Sequence, residues 1–235
     1  MKKNLVKRSN GVAPDFLRRY STRETVVPIL QHAVSITRVT DFEELLEGID
    51  PSLFSEDERM PYWAEIWPSA VALAQWITQR FDLSGKHVLE LGCGLGLVGI
   101  VAALRGGRVL LTDYEEDSLR FARYNARRNG CRALEFRRVD WRSPPLRRRY
   151  DFILGSDVIY ERRSFGHLVA LLKRFLARGG VALLSEPRRS IAGPFFELLD
   201  QRGFICLPEV VPLHWEGSHQ IAVYTISHKL PASTR

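Results

Sequence analysis

The sequence feature that most constrains the fold is segment 87–99, HVLELGCGLGLVG, in which an apolar run passes through alternating glycines into a second apolar run. The first run, His87 to Leu91, has the residue types of a buried strand, and the run from Leu97 to Leu104 favours a helix. Glycines between a strand and a helix let the backbone approach a ligand closely, and the helix N-terminus presents unpaired N–H groups. The segment therefore predicts a binding loop for a nucleotide-type cofactor.

Two cofactors compete for this loop. Residues Gly94 to Gly99 match G-x-G-x-x-G, the pattern of dinucleotide-binding proteins, which would indicate NAD. That pattern begins directly after its strand, whereas here the strand ends at Leu91 and the first glycine is Gly92. The register therefore disfavours a dinucleotide, although an NAD-dependent oxidoreductase stays an alternative.

The same loop counted from the end of the strand fits a different ligand. Glu90 stands two residues before the first glycine, where a carboxylate suits a ligand with a cationic amino-acid end and would repel a pyrophosphate. This arrangement resembles the first motif of the class I S-adenosylmethionine (SAM) methyltransferases. The predicted cofactor-binding residues of the loop are Glu90, Gly92, Cys93, Gly94 and Gly96.

Composition limits the class of protein. At 235 residues, 45% of them hydrophobic, the chain suits one domain with an N-terminal elaboration, and no apolar run is long enough to span a membrane. The basic start leads into no apolar segment, so we expect no signal peptide and a cytoplasmic protein. Three widely spaced cysteines and six histidines without ligand spacing predict no metal site. The net charge of +7 fits solvated arginines, with RNA binding as the alternative.

Alternating strand and helix patterns predict an α/β fold. Successive strand–helix units require a parallel sheet covered on both faces, and two closing strands joined by a polar turn at 216–218 indicate an antiparallel pair. We therefore expect a Rossmann-like seven-stranded sheet, mostly parallel with an antiparallel strand near the C-terminal end and helices on both faces. The predicted strands are 87–91, 108–113, 134–139, 150–156, 180–185, 204–212 and 220–227, and the predicted helices 69–81, 97–105, 115–129, 162–177 and 192–202.

The chain before this pattern is predicted to be a separate elaboration. Residues 1 to about 25 are polar and basic, typical of a loosely held arm, and 26–39 is strand-like. Asp41 and Glu44 have capping-box spacing for a short helix, and 51–61 is a polar connector. We expect residues 1–60 to form this N-terminal arm and small elaboration, and 61–235 to form the SAM-dependent methyltransferase domain.

Acidic and aromatic residues follow the second and third strands, at the edge where ligands bind in such sheets. Asp113 is placed to accept hydrogen bonds from both ribose hydroxyls, and Tyr114 beside it to cover an adenine face. Asp140 and Trp141 are placed to bond the exocyclic amine and stack on the base. The alternatives are a helix cap for Asp113, a loop acid for Asp140 and a core indole for Trp141.

The fourth and fifth strands end at the predicted acceptor side. Asp157 and Tyr160 form D-x-x-Y after the fourth strand, and a carboxylate with a phenol suits a narrow cationic acceptor such as a lysine amine. The alternative for this pair is an acid that caps the next helix and a packed tyrosine. No Pro-Pro turn that stacks a flat base follows this strand. Glu186, after the fifth strand, is a substrate-side candidate, or else a loop acid paired with Arg188 or Arg189.

An aromatic segment precedes the first long helix. Trp67 stands at that helix's start, where its indole N–H is expected to donate to the cofactor carboxylate and its face to lie near a sulfonium. Trp63 is a substrate-side candidate. Packing is the alternative for both.

Together these motifs resemble the seven-β-strand protein lysine methyltransferases, the family that includes the valosin-containing-protein and electron-transfer-flavoprotein β-subunit lysine methyltransferases. The resemblance covers roughly residues 34–227. It implies SAM as cofactor, S-adenosylhomocysteine (SAH) as product, a protein substrate, Ser156 at the cofactor, and Asp157 and Tyr160 in catalysis. The residues that carry it are Trp67, the Glu90 loop, Asp113, Asp140, Trp141, Ser156, Asp157 and Tyr160.

The sequence thus predicts a SAM-dependent N-methyltransferase acting on lysine side chains by in-line methyl transfer. An RNA or small-molecule methyltransferase is the first alternative, motivated by the basic charge. A SAM-binding scaffold without turnover is the second, and the intact set of acids and Tyr160 argues against it.

Overall fold

The protein is described by a computed structural model that covers residues 14–41, 45 and 60–229. Its centre is a seven-stranded sheet with the order β5-β4-β3-β6-β7-β9-β8. Strands β3 to β7 are parallel, and β9 runs antiparallel to both β7 and β8, as the sequence predicts. The strands are β3 (His87–Leu91), β4 (Arg108–Asp113), β5 (Glu135–Arg138), β6 (Tyr150–Ser156), β7 (Leu176–Glu186), β8 (Phe204–His214) and β9 (Ser218–His228).

Helices cover both faces of this sheet, because successive strand residues point to opposite faces and both sets are apolar. Val88 and Val109 belong to one buried cluster, whereas their neighbours Leu89 and Leu110 belong to another. The first cluster includes residues of α1 to α3, and the second residues of α4 and α5. The helices are α1 (Pro68–Arg80), α2 (Leu97–Leu104), α3 (Glu116–Arg128), α4 (Arg162–Phe175) and α5 (Gly193–Gln201).

The N-terminal part is more ordered than a loose arm. Strands β1 (Thr22–Ile29) and β2 (His32–Val39) form a hairpin whose buried residues join the cluster under α1 to α3. Asn125 of α3 ties the hairpin down, since its side-chain amide donates to the carbonyl of Thr37 and accepts from the Thr37 N–H. The predicted strand-like stretch 26–39 is thus a hairpin.

Residues 14–20, predicted to belong to the arm, are docked on α3. Phe16 and Tyr20 pack edge-on against Phe121 with ring centroids 5.4 Å apart, and the Tyr20 hydroxyl donates to Asp117 at 2.5 Å. The expectation of a loosely held segment is wrong here because the apolar residues among the basic ones find partners on a distant helix. The helix predicted after Asp41 and most of the connector 51–61 lie outside the described residues.

Candidate active site

The parallel strands bring the predicted residues together at one edge of the sheet. In register, Leu91 of β3 lies beside Thr112 of β4 and Gly155 of β6, and Ser156 lies beside Ser185 of β7. Beyond these strand ends is a cavity of about 710 Å³. Its wall contains these residues predicted from sequence: Trp63, Trp67, Glu90, Gly92, Cys93, Gly94, Asp113, Tyr114, Asp140, Trp141, Ser156, Asp157 and Tyr160.

The glycine loop turns tightly under this cavity. Gly92, Gly94 and Gly96 have φ values of 59°, 51° and 87°, in the left-handed region that favours glycine. Gly92 and Gly94 line the cavity, whereas Gly96 does not. A Cβ on Gly96 would lie 2.9 Å from the Cβ of Ala122, so this glycine permits close packing of α2 on α3. The structure therefore places Gly96 under the cofactor loop rather than against a ligand.

Asp113 supports the loop from the end of β4. Its Oδ2 accepts from the Gly94 N–H at 2.9 Å, and its Oδ1 accepts from the Glu115 N–H at 3.0 Å. Burial raises the pKa of this carboxyl, and these backbone hydrogen bonds oppose the rise. A helix cap was the predicted alternative for Asp113. The bond to the Glu115 N–H, near the start of α3, is a contact of that kind, and Asp113 lines the cavity as well.

Glu90 is the most deeply buried acid of the loop. Burial raises the pKa of its carboxyl well above the usual range, although the Gly99 N–H bonds to it. Its Oε2 is buried and has no hydrogen-bond partner in the described part of the chain. Cys93 beside it is buried as well, and the pKa of its thiol is raised for the same reason. An orphaned carboxylate oxygen at the wall is what a cationic ammonium group would satisfy.

The end of β5 contributes Asp140 and Trp141 to the wall of the cavity. Trp141 is half-buried and stands close to the loop, since a Cβ on Gly92 would lie 3.6 Å from its Cζ2. Asp140 pairs with Arg142 at 2.8 Å, and this hydrogen-bonded pair lowers the pKa of the Asp140 carboxyl. Tyr114 also lines this wall. The flat face of Trp141 and the polar edge of Asp140 suit an adenine ring.

The aromatic segment before α1 is held differently from the prediction. The indole N–H of Trp67 donates to the backbone carbonyl of Tyr62 at 2.8 Å, so it is not directed at a cofactor carboxylate. Trp63 packs against Phe121 and Tyr20, with centroids 5.3 Å and 5.9 Å away. Both tryptophans line the cavity, but their main role is to hold its wall in place, which was the packing alternative.

Asp157 is the buried acid at the acceptor end. Its φ is 53°, an uncommon value for a residue other than glycine, and strain of this kind is concentrated at functional sites. Nη2 of Arg189 donates to its Oδ1 at 3.0 Å, and only 9% of the Asp157 side chain is exposed. Its Oδ2 is buried without a hydrogen-bond partner among the described residues. One carboxylate oxygen is therefore held by Arg189, and the other is buried without a partner.

Tyr160 stands at the mouth of the cavity. The residue is 38% exposed, and partial burial raises the pKa of its phenol to about 12, so the hydroxyl is a neutral donor at physiological pH. The ring meets Tyr62 edge-on at 5.7 Å, and Tyr62 meets Trp67 at 5.9 Å. We call Tyr62, Trp67 and Tyr160 the aromatic rim.

Glu186 is not on the substrate side. It is fully buried and does not line the cavity. The Tyr224 hydroxyl of β9 donates to its Oε1 at 2.9 Å, and the backbone N–H of Arg189 donates to its Oε2. The carboxylate thus anchors the loop after β7, which is nearer to the predicted loop-acid alternative.

Sequence reasoning missed several residues of the wall. Tyr62 lies in the aromatic segment before the first long helix, and Arg189 was considered only as a partner of Glu186. Both therefore stood near predicted residues, but their contacts depend on how the loops pair. His167 and Arg163 of α4 had none, because exposed polar positions on a helix face are common. Among the described ranges, 14–41, 45 and 60–229, no group of three His, Cys, Asp or Glu residues is arranged to hold a metal ion. None of the helices in these ranges is long and apolar enough to cross a membrane.

Solved structures share this fold. The magnesium protoporphyrin IX methyltransferase from Synechocystis PCC 6803, determined with bound SAH, aligns with a TM-score of 0.55 and 17% sequence identity. The alignment covers 67% of this chain and 81% of that one. The fold is therefore that of the class I methyltransferases.

The family follows from sequence. Residues 51–202 match the family model described as lysine methyltransferase, and the chain belongs to that family. The zebrafish protein N-lysine methyltransferase METTL21A is 34% identical over 71% of this chain and 78% of its own length. The Xenopus laevis histone-arginine methyltransferase METTL23 is 36% identical over 49% of this chain and 52% of its own length.

Proposed function

We propose that this protein is a SAM-dependent N-methyltransferase that acts on lysine side chains of a protein substrate. The observation that carries the proposal is the buried, unpartnered Oδ2 of Asp157 at the cavity wall beside the exposed ring of Tyr160, in a chain of the lysine methyltransferase family. A carboxylate oxygen there suits an N–H of the acceptor, and the aromatic rim suits its aliphatic stem.

The charge of the cavity supports a cationic acceptor. The cavity wall contains more acidic residues than arginines, although the whole chain carries a net charge of +7. Ion pairs with arginines offset the charge of Glu65, Asp140, Asp157 and Glu161, so the excess of acids leaves a modest negative charge that favours an ammonium group over the phosphates of RNA. The acidic lining residues are Glu65, Glu90, Asp113, Glu115, Asp140, Asp157 and Glu161, and the arginines are Arg142, Arg163 and Arg189.

The residues along the cavity fit SAM from one end to the other. Glu90, with its orphaned oxygen, would hold the amino-acid end, Asp113 the ribose, and Asp140 with Trp141 the adenine. When bound, SAM supplies a methyl group on a sulfonium, which is the electrophile. The protein's task is to align the acceptor nitrogen with that methyl and to exclude water.

The acceptor must reach the site as a neutral amine, and its ordinary pKa of about 10.4 means that it arrives protonated. After the proton leaves to solvent, the nitrogen lone pair forms the new N–C bond while the C–S bond breaks and SAH departs. Asp157 orients the acceptor through its free oxygen. Tyr160 is an uncharged phenol, so it adds no charge to the site, and its ring packs on the aliphatic stem of the acceptor.

The test compares Asp157→Asn with unaltered protein. Asparagine has the same shape and tolerates positive φ, so the loop is preserved while the charge is lost. With labelled SAM and lysine-containing peptides, we expect kcat to fall by about 100-fold or more, because an acceptor that is no longer oriented by the carboxylate loses its alignment with the methyl group. The dissociation constant for SAH, measured by calorimetry, should change by less than about threefold, because a remote carboxamide leaves cofactor contacts intact.

Asp200→Asn on α5 is the matched control, because Asp200 is an exposed aspartate whose partner is Lys229. It should methylate at the unaltered rate. Peptides with arginine or histidine in place of lysine, and RNA with and without nuclease, are the competing acceptors. Label confined to any of these, or full activity of Asp157→Asn, would overturn the proposal.

A further inference from the structure

The ion pair between Arg189 and Asp157 joins the two loops at the acceptor end of the cavity. Asp157 follows β6, and Arg189 lies in the loop after β7. Nη2 of Arg189 and Oδ1 of Asp157 are 3.0 Å apart, and the two side chains differ in exposure, with 37% of Arg189 exposed and 9% of Asp157. The guanidinium takes Oδ1 alone and leaves Oδ2 buried and unpartnered at the cavity wall. Arg189 therefore divides the carboxylate into a held oxygen and a free one.

Several interactions hold Arg189 where it is. Its backbone N–H is bound by Glu186, which Tyr224 fixes from β9. The Asp157 N–H donates to the carbonyl of Ser185 at 2.8 Å, which ties the two loops together. Asp157 itself and Arg188, the residue before Arg189, have positive φ values of 53° and 59°. Strained residues persist only where the surroundings determine them, so this geometry is built in rather than accidental.

A lone carboxylate would create a problem for catalysis. An ammonium group beside a carboxylate is stabilised in its charged form, which raises its pKa. The nucleophile, however, is the neutral amine. A second cation on the same carboxylate opposes this stabilisation, because it repels the ammonium and cancels much of the negative charge.

We propose that Arg189 is a positioning residue that keeps Oδ2 of Asp157 free for the acceptor and offsets the carboxylate's charge, so that the bound acceptor loses its proton more readily. This inference rests on the proposed lysine methylation. It explains why Asp157, the carboxylate proposed to bind a cationic acceptor, is already paired with an arginine.

The other charged groups at this end are already engaged with one another. Arg163 pairs with Glu161 at 2.6 Å, and Arg38 pairs with Glu65 at 2.7 Å. Arg189 is thus the guanidinium placed on Asp157. Besides the pair itself, the titratable or charged residues that line the acceptor end are Tyr62, Glu65, Tyr160, Glu161 and Arg163, and those further along the cavity are Glu90, Cys93, Asp113, Tyr114, Glu115, Asp140, Arg142 and His167. The buried Glu186 contacts the pair only through the Arg189 backbone.

The test measures kcat and KM of the full chain with a lysine peptide at several pH values between about 6.5 and 10, a range in which the free amine is mostly protonated. For Arg189→Met, the acidic limb of the kcat profile, along which kcat rises as the bound ammonium loses its proton, should move up by about one pH unit, the effect of a unit charge at close range. At neutral pH, kcat should then fall about tenfold and KM should fall with it, because the charged acceptor binds more tightly but unproductively. The ratio kcat/KM should change little, since it reports the free enzyme and free acceptor.

Two companion variants separate charge from packing. Arg189→Gln keeps a hydrogen-bond donor without charge and should behave like Arg189→Met, and it serves if the methionine variant does not fold. Arg189→Lys keeps the positive charge, so its kcat profile should rise over the same pH range as that of the unaltered protein. Arg188→Met, the neighbouring exposed arginine of the same loop, is the matched control and should leave both profiles unchanged.

The inference is overturned if the kcat profiles of both uncharged variants rise over the same pH range as that of the unaltered protein. It is also overturned if kcat/KM falls while KM rises, because that combination marks a merely structural role. These outcomes are distinct from failure of the proposed function. If the unaltered protein binds SAH but methylates no lysine acceptor, the proposed function itself falls, and the inference falls with it.

Discussion

Gly99, in the first turn of α2, lies directly against Glu90. Its N–H bonds to the Glu90 carboxylate, and a Cβ on it would lie 2.7 Å from Cγ of Leu111. Neither neighbour can retreat within the packed core, so Gly99→Ala should lower the free energy of unfolding by about 1–3 kcal/mol. It should also weaken SAH binding, because the added methyl group presses on the Glu90 carboxylate. Urea unfolding and calorimetry measure the two effects.

Gly166 is the matched control for that substitution. It lies within α4, and a Cβ there would meet nothing within 4 Å. Gly166→Ala should therefore raise the free energy of unfolding by about 0.5–1 kcal/mol, because alanine loses less backbone entropy in a helix. Similar destabilisation by both alanines would contradict the steric argument.

Glu90 makes the stability of the protein depend on pH. Because its pKa is raised well above the model-peptide value of 4.5, the folded state holds the proton over a range in which the unfolded state releases it. The stabilisation is fully present below that ordinary value and is lost as pH rises toward the folded-state pKa. Glu90→Gln mimics the protonated form and escapes this loss.

In the absence of cofactor, Glu90→Gln should therefore be more stable than the unaltered protein at neutral pH, with an advantage that grows from mildly acidic conditions upward. Urea unfolding at several pH values measures it. Glu135→Gln, at an exposed position on β5, is the control and should show no such trend. A Glu90→Gln advantage that is constant with pH would show that the carboxyl's ionisation is not the cause.

At the scale of single residues, sequence could identify side chains but not the directions in which they bond. Asp113 and Asp157 were placed correctly at the cavity wall because strand ends share one edge. The indole N–H of Trp67 and the carboxylate of Glu186 were misassigned, because their partners, a carbonyl of Tyr62 and a hydroxyl of Tyr224, depend on tertiary packing.

Among the elements, Arg38 of β2 joins three parts of the chain. Its side chain is 4% exposed and pairs with Glu65 before α1 and Glu216 in the β8–β9 turn, both at 2.7 Å. Arg38→Met removes both pairs, while the partly exposed carboxylates can rehydrate, so the expected loss of unfolding free energy is about 1–3 kcal/mol. Thermal or urea unfolding measures it.

The control for Arg38 is the pair Lys229–Asp200, whose side chains are 45% and 72% exposed. Water screens such pairs, so Lys229→Met should change the free energy of unfolding by less than about 0.5 kcal/mol. Equal losses for the two variants would contradict a special role for Arg38.

Boundaries of elements were predictable where local and tertiary preferences agree. Strand β6 was predicted to the residue, whereas β7 begins at Leu176 instead of 180. By local preference Leu176 and Ala177 extend the preceding helix. In the structure Leu176 pairs with Tyr150 of β6, and an irregularity in that pairing lets the strand start early. The pairing of Leu176 with Tyr150 joins residues 26 positions apart, so the local pattern of apolar residues does not reveal it.

For the whole molecule, the contrast between an acidic cavity and a net charge of +7 predicts a dependence on ionic strength. The basic exterior should attract substrates with acidic residues around the target lysine. KM for such a peptide should rise several-fold when NaCl is raised from roughly 0.05 to 0.3 M, since the Debye length shortens. A peptide with uncharged flanks is the control, and an equal rise for both would contradict the charge argument.

The global architecture was the most predictable level. Strand–helix alternation determines a parallel sheet, and the short last connection determines an antiparallel pair. The docking of residues 14–20 on α3 was not predictable, because a basic composition conceals the partners that Phe16 and Tyr20 find more than 90 positions away.

The position of β9 sets when this enzyme can become active during its synthesis. Chains are made from the N-terminus, so β8 leaves the ribosome before β9. Yet β9 lies between β7 and β8, and it carries Tyr224, which fixes Glu186 and through it the backbone of Arg189. A nascent chain that ends before Ser218 has an open sheet edge at β7 and an unanchored acceptor loop. On the proposed function, we therefore expect methyl transfer to begin only after β9 has been translated and inserted.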